Sequence, residues 1–195
     1  MTLDLRERIL NEAATRFVAS GYHAVSMREV AEAVNASKAA IYYHFTDKEA
    51  LLLAIMEQSL TELIRMVTIG MQAHTDTHGR LIAVVQGLLG LNAVQRAAMR
   101  LAMFELQHLG DAQRKAFAQR YDREFIERLR TILREGQQRG DVRTSIDVQM
   151  GTWALLGLLY PFALMPARGY DVATLSHTLV DLFLNGVHGG TAESR

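Results

Sequence analysis

The chain has no cysteine among its 195 residues. Disulfide frameworks and thiolate zinc sites are therefore excluded, and the redox compartment cannot be read from thiol usage. It also has no charge of one sign to spare. Twenty-one Lys and Arg balance twenty-one Asp and Glu, so no global basic field announces a polyanionic partner. Residues 1–50 follow suit, with Arg6, Arg8, Arg16, Arg28, Lys38 and Lys48 set against Asp4, Glu7, Glu12, Glu29, Glu32, Asp47 and Glu49. The opening MTLDLRERIL is charged, helical in pattern and without the apolar run of a signal peptide, which makes a cytoplasmic location the expectation. There is no nucleophile elbow, phosphate-cradling loop or paired-carboxylate signature, so no enzyme and no cofactor are expected.

Only one long stretch is free of charge, residues 148–167, VQMGTWALLGLLYPFALMPA. Its length would span a bilayer. Gln149, Thr152, Gly157, Pro161 and Pro166, with no second span and no basic flank, argue instead for a fully buried helix and no membrane. In the polar break AHTDTHG (73–79), His74, Asp76 and His78 are metal-ligand types. Their spacing fits no metal motif, so a solvated loop is expected and no metal.

What the chain does have is concentrated in residues 26–48, SMREVAEAVNASKAAIYYHFTDK. Ser26 and Glu29, three apart before an apolar pattern, form a capping box. Met27, Val30, Ala31 and Val34 then recur at helical spacing. Asn35 tolerates a positive φ and can close the helix, and Ser37 is placed to cap the next one. That second helix is short and ends near Phe45, a core candidate. Thr46 and Glu49 read as a further capping box that opens a third helix. Helix, tight turn and short helix make a helix-turn-helix, whose second helix enters the major groove. Ser37, Lys38, Ala39 and Ala40 give that helix a small, close-approaching first turn. Tyr42, Tyr43 and His44 suit phosphate hydrogen bonds and thymine methyls. Lys48 lies in a helix's first turn, against the dipole, so it is expected to serve something outside its helix, such as a phosphate.

From about Leu5 to Leu53 this segment resembles, without a gap, the N-terminal DNA-binding domain of the TetR family of bacterial transcriptional regulators. Its most specific part is YYHF followed by Lys48 and Glu49. The resemblance implies that Ser26 touches phosphate and that Arg28 contacts phosphate or groove. It also implies DNA contacts for Ser37, Lys38, Ala39, Tyr42, Tyr43, His44 and Lys48. Asn35 stands where the family usually has glycine; Asn is the next best residue for a left-handed turn. Ala40 stands where a base-reading side chain is common, which leaves the operator sequence unread.

Around this core the periodicity predicts an all-α chain. A helix over 5–20 carries Ile9, Ala13 and Phe17 on one stripe, with Leu10, Ala14 and Val18 beside it, and Gly21 ends it. A long helix from Asp47 loses its pattern near Gly70. Helices follow over 81–91, where Gly87 and Gly90 permit close approach, over 92–109, and over 111–138, closed by Gly140. The final helix, 171–187, shows two apolar faces: Leu175, Leu179 and Leu182 on one, Val180, Leu184 and Val187 on the other. A helix apolar on two sides wants two partners, so the last two helices are expected to pair with their copies in a four-helix homodimer interface. The division expected is 1–47 for DNA and 48–195 for an effector and dimerisation.

The resemblance implies a dimeric repressor on a pseudo-palindromic operator, released by a small molecule. Met99, Met103, Phe104, His108, Tyr121, Phe125, Trp153 and Tyr160, with Phe162, are the candidate pocket lining, and Arg100 or His108 a polar anchor. Met-rich linings adapt to varied apolar shapes, which favours a largely hydrophobic effector. The alternative is a DNA-binding regulator or architectural protein with no small-molecule effector.

Overall fold

The computed structural model describes residues 4–165 and 169–186. Ten α-helices account for most of them: α1 (Leu5–Ser20), α2 (Met27–Ala33), α3 (Lys38–His44), α4 (Lys48–Ala73), α5 (Thr77–Leu89), α6 (Ala93–Phe104), α7 (Asp111–Tyr121), α8 (Glu127–Arg139), α9 (Val148–Leu164) and α10 (Val172–Asn185). No strand occurs among the described residues, and the expected all-α class holds. Pro166, Ala167 and Val187, named above, lie outside the described residues.

Packing divides the chain into two compact units. The first joins the residues up to 65 with 91–125; the second joins 66–90 with the residues from 126 onward. In the first unit α1 packs along α6 and against α2, and α2 packs against α3. Its core draws Ile9, Leu10, Ala13, Ala14 and Phe17 from α1, Val30 and Ala31 from α2, Ile41 from α3, and Leu51, Leu52, Ile55 and Met56 from α4. Each large aliphatic or aromatic side chain so buried contributes about 1.5–3 kcal/mol. That is how seven-residue helices such as α2 and α3, too short to persist alone, are held.

The second unit is built on α5, which packs against α8, α9 and α10. Thr77, at its first position, is fully buried, and its hydroxyl donates to Asp141 at 2.9 Å. Arg80 forms an ion pair with Glu135 of α8. Gly87 does permit close approach, since a Cβ there would meet the Met66 sulfur at 2.9 Å. Gly90 serves differently and caps the end of α5.

The structure corrects several sequence readings. The cap of α4 is Asp47, whose carboxylate accepts from the Ala50 amide at 2.7 Å; a carboxylate next to Thr46 is the stronger acceptor. Glu49 turns away and accepts from the Gly110 amide at 2.7 Å. The helix expected over 92–109 stops at Phe104 and tightens into a 3-10 turn, Leu106–His108. The charged helix expected over 111–138 is interrupted by one π turn, Asp122–Ile126, and Gly140 closes it at φ 85°. Helix α9 is not fully buried. Met150 (68% exposed), Trp153 (47%), Ala154, Gly157 and Pro161 form an exposed stripe at helical spacing, because its neighbours cover only the opposite face. On α10, Leu175, Leu179 and Val180 are buried within the chain, while Leu182 and Leu184 are half-buried. No single described helix is long and apolar enough to cross a membrane.

Candidate nucleic-acid interface

The turn between α2 and α3 follows from its residues. The Ser26 hydroxyl accepts from the Glu29 amide at 3.2 Å, and the Glu29 carboxylate accepts from the Ser26 amide at 2.6 Å and from its hydroxyl at 2.7 Å. These bonds hold the Glu29 carboxyl below the usual carboxylate range. Asn35 adopts φ 54° and so ends α2, which allows the Ala36 amide to reach back to the Ala31 carbonyl at 2.8 Å. The Arg8 guanidinium, from α1, donates to the Val34 carbonyl. Arg6 lies 5.5 Å from the Phe45 ring centroid. Ser37 then caps α3 by accepting from the Ala40 amide at 3.1 Å.

Helix α3 is thereby fixed with one face in and one face out. Ile41 and Phe45 are buried. Lys38, Ala39, Tyr42 and Tyr43 project from the opposite side, as the 3.6-residue period requires. Tyr43 is 86% exposed and Tyr42 42%. The Lys38 ammonium lies 5.9 Å over the Tyr42 ring, and Tyr43 meets His44 edge-on at 5.3 Å. Ser26 and Arg28 are exposed on α2, with Arg28 paired to Glu32 at 2.7 Å. Two exposed tyrosines, a lysine and an alanine on a capped helix offer hydrogen-bond donors, stacking surface and close approach together, which is what major-groove docking needs.

Lys48 lies in a different setting from the others. Its ammonium sits 4.4 Å over the Tyr22 ring and 5.7 Å over Phe17, and donates to the His23 carbonyl at 3.3 Å. Burial lowers its pKa, and burial followed by the nearby Glu49 and Asp47 carboxylates raises that of the Tyr22 phenol. His108 stacks on Tyr22 at 4.8 Å and meets His23 edge-on at 4.4 Å. Sequence reading did not connect Arg8, Tyr22 or His23 with the motif, and only the fold brings Tyr22 and His23 to His108.

Of the eight candidate effector residues, six fall in the first unit and Trp153 and Tyr160 in the second. Met99 and Phe125 are buried core, Phe104 and Met103 are exposed, and His108 is held by Glu105 at 2.9 Å. Tyr121 and Phe125 do meet, with ring centroids 5.3 Å apart. In the second unit, α8, α9 and α10 with the 142–146 loop enclose a cleft of about 470 Å³, lined by Leu133, Ile146, Met150, Leu158 and Phe183 among others. Among the described residues no three His, Asp or Glu side chains are grouped to hold a metal ion; Asp76 instead caps α5 by accepting from the Gly79 amide at 2.7 Å.

A capped, outward-facing second helix on a left-handed turn defines a helix-turn-helix DNA reader. Comparison with known proteins agrees. Residues 9–55 match bacterial regulatory proteins of the tetR family, and residues 74–187 match the tetracyclin repressor-like C-terminal domain. The chain belongs to the tetR family of transcriptional regulators. Among solved structures it is similar to the regulator PfmR from Thermus thermophilus, with a TM-score of 0.83, 27% identity, and coverage of 93% of this chain and 100% of that one. It is 21% identical to a fatty acid metabolism regulator protein of Bacillus subtilis over 93% of this chain and 94% of that protein. It also shares its fold with AibR, solved in complex with isovaleryl coenzyme A and operator DNA, at a TM-score of 0.79 and 22% identity over 93% of this chain and 98% of that one.

Proposed function

We propose that the chain is a homodimeric repressor that binds a pseudo-palindromic operator and leaves it when a coenzyme A thioester with an apolar acyl group binds. The observation that carries the DNA half is the exposed face of α3, presented on a helix whose other face is locked by Ile41 and Phe45. Residues 1–47 serve as the DNA-binding head, with Ser26, Arg28, Ser37, Lys38, Ala39, Tyr42, Tyr43, His44 and Lys48 as its contacts. Residues 48–195 bind the effector and dimerise. The exposed stripe Met150, Trp153, Ala154, Gly157 and Pro161 on α9, with the half-buried Leu182 and Leu184 of α10, supports a dimer through the last two helices. A two-fold pair then spaces two copies of α3 about 34–36 Å apart, one helical turn of DNA.

The effector class rests on the relatives, one described as a fatty acid metabolism regulator and one solved with isovaleryl coenzyme A. The Met and aromatic candidates named above remain its proposed lining. A regulator of this kind works on cytoplasmic DNA and carries out no chemistry of its own. The test is fluorescence anisotropy on a duplex recovered from a random pool, titrated with isovaleryl and palmitoyl coenzyme A. A thioester that preferred the released state by about 3 kcal/mol would shift binding roughly 150-fold. Retention of DNA at saturating concentrations of every thioester would refute the effector and favour a regulator without one.

A further inference from the structure

Lys48 stands in the first turn of α4, where the helix dipole disfavours a cation, yet several groups hold its ammonium in place. The Tyr22 ring lies beneath it at 4.4 Å, and the His23 carbonyl accepts one of its hydrogens at 3.3 Å. Tyr22 is itself stacked by His108, with centroids 4.8 Å apart and planes 19° from parallel. His108 is anchored by Glu105 at 2.9 Å, and the Gly110 amide binds Glu49, the residue after Lys48, at 2.7 Å. The 105–110 corner is thus joined to the start of α4 both through the rings and through the backbone. An ammonium carries three donors. Among the described residues one is committed, to His23.

We propose that Tyr22 and His108 are positioning residues for operator binding: the 105–110 corner, acting through the stacked rings, fixes where Lys48 presents its remaining donors to a DNA phosphate. The inference rests on reading α2 and α3 as the DNA-binding motif. It gives the corner control over DNA affinity without touching DNA, and by a route separate from the length of α4.

The test measures operator affinity against salt for the full-length dimer, with Lys48→Ala, His108→Ala, Tyr22→Leu, His108→Phe and the Lys48→Ala/His108→Ala pair. Lys48→Ala removes one phosphate contact from each protomer and lowers the dimer's salt slope by about two. His108→Ala and Tyr22→Leu each weaken binding about three- to tenfold, the order of an aromatic or cation–π contact, and lower the slope in the same direction. His108→Phe keeps a ring on Tyr22 and restores binding. The double variant binds no more weakly than Lys48→Ala alone. Losses that simply add, or an unchanged slope in the ring variants, overturn the relay. Tyr22→Leu decides the matter if His108→Ala does not fold. If Tyr42→Ala and Lys38→Ala also bind like the parent, the DNA-binding reading itself has failed; if they lose binding while His108→Ala and Tyr22→Leu do not, only the relay has.

Discussion

Gly136→Ala is the substitution whose cost can be worked out most directly. Gly136 lies in α8 against the first turn of α5. A Cβ added there would stand 2.6 Å from the Thr77 hydroxyl oxygen and 2.8 Å from a Val142 methyl. Both neighbours are β-branched and stiff at χ1. Thr77 is fully buried, and its hydroxyl donates to Asp141 and accepts from Arg139, each at 2.9 Å. Alanine gains about 1 kcal/mol in helix propensity. Against that, overpacking costs about 1–3 kcal/mol, and displacing a buried hydroxyl from its partners costs about 1–3 kcal/mol more. The net expectation is a loss of about 1–5 kcal/mol. Urea denaturation followed by circular dichroism measures it. Thr77→Ala removes both of the Thr77 atoms nearest the added Cβ, so the Gly136→Ala/Thr77→Ala pair should lose less than the two single losses summed. A Gly136→Ala protein as stable as its parent would refute the reasoning.

Three further expectations follow from the same geometry. Asn35 holds φ 54°, so Asn35→Val should cost about 1–2 kcal/mol and weaken operator binding, while Asn35→Gly should leave both intact; equal stability of the two variants would contradict the turn assignment. Met150→Asp or Trp153→Asp, on the exposed stripe of α9, should convert the dimer to folded monomer in analytical ultracentrifugation, and an unchanged dimer would move the interface elsewhere. Asp141 is held below the usual carboxylate range by the Thr77 hydroxyl and then by Arg139. A depressed folded-state pKa stabilises above the ordinary carboxylate value, about 4, and that stability is lost as pH falls further through the folded value. Asp141→Asn should therefore lower stability at neutral pH and flatten the acid side of the pH–stability curve; an acid limb identical to the parent's would count against the Thr77–Asp141–Arg139 network.

Features written into neighbouring residues were legible in advance. The Ser26–Glu29 box, the Ser37 cap, the left-handed Asn35 and the Gly21 and Gly140 stops each depend on residues a few positions apart, and the fold contains them all. Thr46 misled because Asp47, one residue on, is the stronger acceptor and caps the helix from the Ala50 amide, one residue beyond the Glu49 amide a Thr46 box would use. The Tyr22–His108 stack spans 86 positions of sequence, and no local pattern encodes it. Met and aromatic residues posed the hardest case. Met99 and Phe125 turn out to be core and Phe104 exposed, because an apolar helical stripe reads alike whether it faces a neighbouring helix, a ligand or a second chain.

Two copies of α3 in a two-fold pair should read a two-fold DNA sequence. Selection of bound duplexes from a random pool by the purified, ligand-free protein tests this most directly. The expected result is enrichment of an inverted repeat with half-sites about one helical turn apart, and no enrichment by Tyr42→Ala. Binding without any enriched repeat, or the same repeat recovered by Tyr42→Ala, would contradict it.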